Sequence, residues 1–163
     1  MPPRVVAIAV LMLGAFLSPA TPHEIASGSI TVTHPFVRAT PPGAQTGGGY
    51  MAILNVAAEP DRLIAIVPAP DVAKRVTLHQ TTLDGGVSKM LPLDGLDIPA
   101  GTQVIIGEGG THLMFEELTA PFGEGELLGA TLVFEHARNV EVTLEVEPFA
   151  ADPLEVIHSH TSP

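Results

Sequence analysis

The stretch VEVTLEVE, residues 140–147, decides the fold class, because Val140, Val142, Leu144 and Val146 alternate with Glu141, Thr143, Glu145 and Glu147. Successive side chains of an extended strand point to opposite faces, so a period of two marks a strand with one face in an apolar core and the other in water. The same character repeats on the N-terminal side. Apolar or β-branched runs lie at Ser29 to Thr33, Tyr50 to Val56, Leu63 to Val67, Val76 to Thr81, Thr102 to Ile106, His112 to Phe115 and Ala130 to Phe134, separated by segments rich in Gly, Pro and Asp. Beyond the N-terminal apolar run, no stretch carries a sustained helical period. Many short strands with regular turns predict an all-β, antiparallel Greek-key sandwich or small barrel, in one domain without internal repeats.

The two ends of the chain differ in character from this domain. Arg4 supplies a small positive region, Val5 to Leu17 is apolar but too short to span a bilayer, and Ser18-Pro19-Ala20 puts small residues at the −3 and −1 positions of a cleavage site. Residues 1–20 therefore read as a signal peptide, which directs the domain of residues 21–147 to the periplasm with no stable membrane insertion after cleavage. His23 would stand third in the mature chain, where amino-terminal Cu(II) motifs place a histidine, but Pro22 has no amide hydrogen to lose and that motif should fail. Residues 148–163, PFAADPLEVIHSHTSP, combine prolines and acids without a period and read as a flexible C-terminal tail. His158 and His160 in that tail suit borderline Cu(II) or Zn(II), against the plainer reading of a solvated segment that binds nothing specifically.

Composition excludes several function classes. Seven basic and eighteen acidic residues give a net charge of −11 over 163 residues, a surface that repels nucleic acid and anionic membrane and favours solubility. The sequence contains no cysteine. A blue-copper electron carrier, a thiol-disulfide oxidoreductase and a cysteine nucleophile are thereby ruled out, and the usual cysteine-bearing structural zinc site with them. Stability must come from core packing without disulfides. No GxSxG elbow, Walker loop, dinucleotide fingerprint or HExxH pair occurs, so an enzyme is not expected.

The chemistry-bearing residues gather between His79 and Met114. His79 in VTLHQTT, Met90 in GVSKM, and His112 and Met114 in GGTHLMF are separated by ten, twenty-one and one intervening residues. Two imidazoles and two thioethers form a set whose soft sulfurs suit Cu(I) above other biological metals. On a strand, His112 and Met114 share one face, roughly 6.5–7 Å apart at the backbone, while Leu113 and Phe115 face the core. Thr77, His79 and Thr81 likewise share a face opposite Val76 and Leu78. Each residue has a structural reading when taken singly: methionine fills cores adaptably, and a strand histidine can simply be solvated or bonded to backbone. Met51 belongs with the core fillers, and His34 and His136 read as surface or turn residues.

The quartet at this spacing, flanked by RATPP (Arg38 to Pro42), Tyr50 followed by Asn55, DRL (Asp61 to Leu63), IPAG (Ile98 to Gly101) and GGTHLM, resembles the periplasmic PCu(A)C copper chaperones over about Ile30 to Val146. The resemblance implies a cupredoxin-like β-sandwich that binds one Cu(I) through the positions matching His79, Met90, His112 and Met114. It also implies delivery to respiratory oxidase during assembly, in particular to the CuA centre of cytochrome c oxidase. The acceptor would be cytochrome c oxidase subunit II or a thiol copper-assembly protein. Neutral ligands leave the ion's charge uncompensated, so an acceptor with cysteine thiolates can take it by ligand exchange. Because imidazole must be neutral to bind, affinity is expected to weaken as pH falls through the histidine range. Two other readings remain open on the sequence: copper buffering or resistance without a dedicated acceptor, and a secreted β-sandwich that binds no metal.

Overall fold

The computed structural model describes residues 24–159; the signal peptide expected over residues 1–20, and His23 and His160, lie outside them. The described residues form eleven strands and one short helix. The strands are β1 (Glu24–Ser27), β2 (Ile30–Arg38), β3 (Thr46–Asn55), β4 (Asp61–Pro68), β5 (Ala73–Asp84), β6 (Val87–Leu93), β7 (Leu96–Ile98), β8 (Gln103–Gly109), β9 (Thr111–Leu118), β10 (Leu127–Phe134) and β11 (Val140–Glu147). Seven of them close into a barrel in the order β2, β11, β10, β4, β5, β9, β3 and back to β2, while β1, β6, β7 and β8 extend it from β2, β5, β4 and β3. The all-β barrel expected from the alternation is present, with one departure from the expected antiparallel order. β11 runs parallel to β2, with Glu145 beside Phe36 and Glu147 beside Arg38. Directions cannot alternate all the way round a ring with an odd number of strands, so one parallel pair is required.

The core follows from the period-two patterns. Val140, Val142, Leu144 and Val146 are all buried, as are Leu113 and Phe115 of β9, Leu78 of β5 and Met51 of β3. Each such strand buries alternate side chains against the barrel interior, at roughly 1.5–3 kcal/mol per fully buried large aliphatic or aromatic residue. Close approach to β9 is secured by Gly49, where a Cβ would stand 2.8 Å from the Phe115 ring. In β2 the alternation changes phase: the pairing with β3 shifts between Thr33 and Phe36, and His34 there has φ 48°. This bulge turns Val32 and Val37 both inward although they are an odd number of residues apart, and it sends Phe36 to the outer surface. His34 is buried, with 9% exposure, which corrects its reading as a surface or turn residue; His136 is exposed.

The segment after Glu147 also departs from expectation. Rather than a wholly flexible tail, it forms α1 (Pro153–Ser159). Asp152 caps this helix, its Oδ1 accepting the backbone N–H of Leu154 at 2.9 Å, and Pro153 occupies the first helical position. Ile157 is 2% exposed and packs with Phe36 and Ala52. About two turns are too short to produce a periodic sequence signal, and the helix's anchor is the outward Phe36 that the β2 bulge creates.

Asp61 is a buried polar knot of the barrel. Its carboxylate accepts backbone N–H bonds from Arg62 (2.7 Å), His136 (3.1 Å) and Ala137 (2.8 Å), joining the start of β4 to the turn between β10 and β11. Burial raises its pKa, but the three N–H donors and the nearby His136 outweigh it, and the net direction is down from 3.8. A carboxylate depressed in the folded state contributes stability that is present above the unfolded pKa and lost as pH falls through the folded one. Asp61→Ala is expected to cost about 1–3 kcal/mol at neutral pH by leaving buried donors unpaired. Urea unfolding of wild type and variant at neutral pH and near pH 3 checks this: the gap should narrow at the lower pH.

Candidate metal centre

β5 and β9 run side by side with Arg75 opposite Glu116, Thr77 opposite Met114 and His79 opposite His112. Val76 and Leu78 of β5, with Leu113 and Phe115 of β9, supply the apolar layer. The residues between them therefore share the outer face: Thr77 and His79 on one strand, His112, Met114 and Glu116 on the other. All five are half-buried. The two imidazoles meet edge to face, with ring centroids 5.9 Å apart and an interplanar angle of 72°. The Thr81 N–H bonds the Gly110 carbonyl at 2.9 Å. In an antiparallel ladder every second pair is so bonded, which makes His79 and His112 a directly hydrogen-bonded pair.

Each ring is oriented by its own neighbour. The His112 Nδ1 lies 3.0 Å from the Gly110 carbonyl. Gly110 has φ 81°, and a Cβ there would lie 2.6 Å from the Thr81 carbonyl oxygen, so only glycine lets the strand pass this close. The His79 Nε2 lies 3.1 Å from the Thr77 hydroxyl, which is 2.7 Å from a Glu116 oxygen. The Arg75 guanidinium, bonded to the other Glu116 oxygen, and the Thr77 hydroxyl together hold that carboxyl below the usual carboxylate range. The remaining His79 nitrogen, Nδ1, is buried and has no hydrogen-bond partner. A buried polar atom left unmet costs roughly 1–3 kcal/mol.

The sequence-derived quartet is only partly assembled. His79, His112 and Met114 are brought together by direct and diagonal neighbour relations across β5 and β9. Met90 is on the same outer face but on the other side of β5, opposite Thr81 on the β5–β6 hairpin, and it is 58% exposed. Its row across the sheet continues through Thr81 to Gly110. Among the described residues no group of three or more His, Cys, Asp or Glu side chains is placed to hold a metal ion. The Glu116 carboxylate on this face is already bonded to Arg75 and Thr77; the thioether of Met114 stands beside the imidazoles, and a donor set of imidazole and thioether fits a soft monovalent ion.

Several residues of the centre escaped the sequence reading. Alternation already puts Thr77 on the His79 face, though without a role; Glu116 lies two positions from Met114, so the same alternation could have put it there too. Gly110 needed the register. Tyr50 also belongs near this face: Gly48 pairs with Met114, and a Cβ on Gly48 would meet the Tyr50 hydroxyl at 2.9 Å. The Tyr50 ring stacks on Phe36 at 5.1 Å and lies under the Arg38 guanidinium at 5.2 Å. Two of the flanking motifs noted in the sequence thus meet beside the Met114 strand.

Comparison with known proteins agrees with the fold. The sequence model of the LpqE-like family matches residues 30–146. A copper-bound PCuAC domain from PmoF2 is 30% identical and superposes with TM-score 0.66, covering 77% of this chain and 98% of that domain. The Cu(I) form of DR1885 from Deinococcus radiodurans is 29% identical with TM-score 0.55, over 69% of this chain and 74% of that one. A protein of Leifsonia xyli subsp. xyli named as a lipoprotein, Lxx21020, is 30% identical over 88 residues, so that the chain spans about half the length of this relative.

Gly110→Ala tests the backbone of the centre. Strain at positive φ, added to the contact with the Thr81 carbonyl, should cost about 1–3 kcal/mol. The expected result by thermal unfolding is a lowered Tm with the barrel retained, and altered His79 and His112 ring signals by NMR.

Proposed function

This chain belongs to the LpqE-like family, which is the PCu(A)C (PCuAC) family, and we propose that it is a periplasmic copper chaperone carrying one Cu(I) on the outer face of β5, β6 and β9. The ligands in this reading are His79, Met90, His112 and Met114. The observation that carries it is the His79–His112 pair, two rings 5.9 Å apart with one buried nitrogen lacking any partner and a thioether diagonal to it on β9. The copper-bound PCuAC domain from PmoF2 and the Cu(I) form of DR1885 support the choice of metal. The lipoprotein naming of the family and of the Leifsonia protein supports an envelope or extracellular location.

Carriage with ligand exchange, not turnover, is the chemistry that these groups allow. His79, His112 and Met114 stand on rigid barrel strands, so most of the site is formed before the ion arrives. Met90 stands on the exposed hairpin arm and completes the coordination from the solvent side. The same exposure makes its sulfur the ligand most open to displacement. A thiolate of an acceptor, either the CuA-site subunit of cytochrome c oxidase or a thiol copper-assembly protein, can replace it while the barrel ligands still hold the ion. Neutral His and Met donors then give up the ion to the charged sulfur.

Cu(I) titration under reductant, against a competing Cu(I) chelator, tests the site. Wild type should take up one ion per chain. The Met90→Leu/Met114→Leu double variant should stay folded and lose affinity by more than the roughly 10–100-fold that removal of an outer-shell partner costs. Of the single variants, Met114→Leu should cost more than Met90→Leu, because its sulfur is fixed beside the rings. Equal binding by wild type and double variant would sink the thioether site. Delivery is separated from buffering by a deletion strain: loss of cytochrome c oxidase activity, rescued by wild type but not by His112→Ala, supports delivery, whereas normal oxidase activity with greater copper sensitivity supports buffering.

A further inference from the structure

Beside the ligand positions runs a chain of three side chains that bind no metal. Arg75 donates through Nε to Glu116 Oε2 at 3.1 Å, and its Nη2 reaches the same oxygen. Thr77 Oγ1 is 2.7 Å from Glu116 Oε1 and 3.1 Å from His79 Nε2. A hydroxyl carries one hydrogen, and an ionised carboxylate can only accept. The Thr77 hydrogen must therefore go to Glu116, which leaves the Thr77 oxygen able only to accept from the imidazole. His79 must then carry its hydrogen on Nε2. In a neutral ring the lone pair is thereby assigned to Nδ1, the buried atom without a partner.

His112 has the opposite assignment. Its Nδ1 faces the Gly110 carbonyl at 3.0 Å, a group that only accepts, so its hydrogen is on Nδ1 and its lone pair on Nε2. The two rings of one site are thus held as different tautomers by independent devices, one a backbone carbonyl and the other a side-chain relay through Thr77 of β5 to Glu116 of β9.

We propose that Arg75, Glu116 and Thr77 are positioning residues that lock His79 as the Nε2–H tautomer, so that Cu(I) is taken by Nδ1 of His79 and Nε2 of His112. This rests on the metal reading of the preceding section and adds to it which atom of each ring binds and what prepares it. Nδ1 is one bond closer to the backbone than Nε2, so His79 draws the ion down toward β5 while His112 reaches over from β9. The Thr77–Glu116 link spans the two strands at the level of Met114, whose row it shares through Thr77. It braces the strands beside the sulfur that must meet the same ion. A carboxylate behind a ligating histidine also makes the ring a better donor.

Long-range proton–nitrogen correlation of the nitrogen-15-labelled protein reads the tautomers directly, before any metal is added. The expected pattern is Nε2–H on His79 and Nδ1–H on His112, kept unchanged on Cu(I) loading. The reverse pattern on His79 would overturn the proposal, and this outcome needs no variant. Thr77→Val, nearly isosteric and on the outer face, should average the His79 tautomer signals and weaken Cu(I) binding roughly 10–100-fold, with both restored in Thr77→Ser. A folded Thr77→Val with the wild-type tautomer and affinity would also overturn it. Failure of the two readings is distinguishable. If wild type binds no Cu(I), the copper site itself falls; if Cu(I) binds with His79 through Nε2, the site stands and the relay falls.

Discussion

The centre depends above all on the register of β5 against β9. His79 is opposite His112 and Thr77 opposite Met114 only because Leu78, Leu113 and Phe115 are committed to the interior. Side chains alternate with a period of two, so a slip of either strand by one residue would put its imidazole into the core and its aliphatic residues into water. The hydrophobic effect that closes the barrel is thus the same constraint that assembles the imidazole pair. Neither imidazole has to find its place independently.

Around that pair the fold distributes rigidity unevenly. The inner strands are paired on both sides, with β9 held between β5 and β3, whereas β6 pairs only with β5 and exposes most of its residues. Of the four proposed ligands, three fall on the first kind of strand and one on the second. A carrier that must hold an ion and also release it needs that combination: a preformed part that sets selectivity, and an accessible part through which an incoming donor can enter. Closure of an odd-numbered ring forces the single parallel contact of β11 with β2. The bulge in β2 turns Phe36 outward, where α1 covers it.

Much of this was legible in the sequence, and the exceptions have physical causes. The alternation of Val140 to Val146 and the runs through His79 and His112 identified their strands because one face of each is buried. β6 was not seen as a strand: Val87, Met90 and Leu91 are exposed and Pro92 interrupts the run, so no burial period marks it. Its pairing is imposed by the Gly85-Gly86 turn, both residues at positive φ, and by the length of β5. The two imidazoles and two thioethers could be read as one set from residue chemistry and family resemblance, but not how far Met90 stands from the others. The Thr77–Glu116 contact joins residues 39 apart in sequence and becomes visible only once the register is known. α1 was missed because one buried side chain, Ile157, anchors it.

The measurement that addresses the central claim most directly is X-ray absorption at the copper K-edge on the protein loaded with one equivalent of Cu(I). The account predicts an edge shape of monovalent copper and a first shell containing both imidazole nitrogen and thioether sulfur, with the sulfur contribution reduced in Met114→Leu. A first shell of nitrogen and oxygen alone, unchanged in that variant, would contradict it.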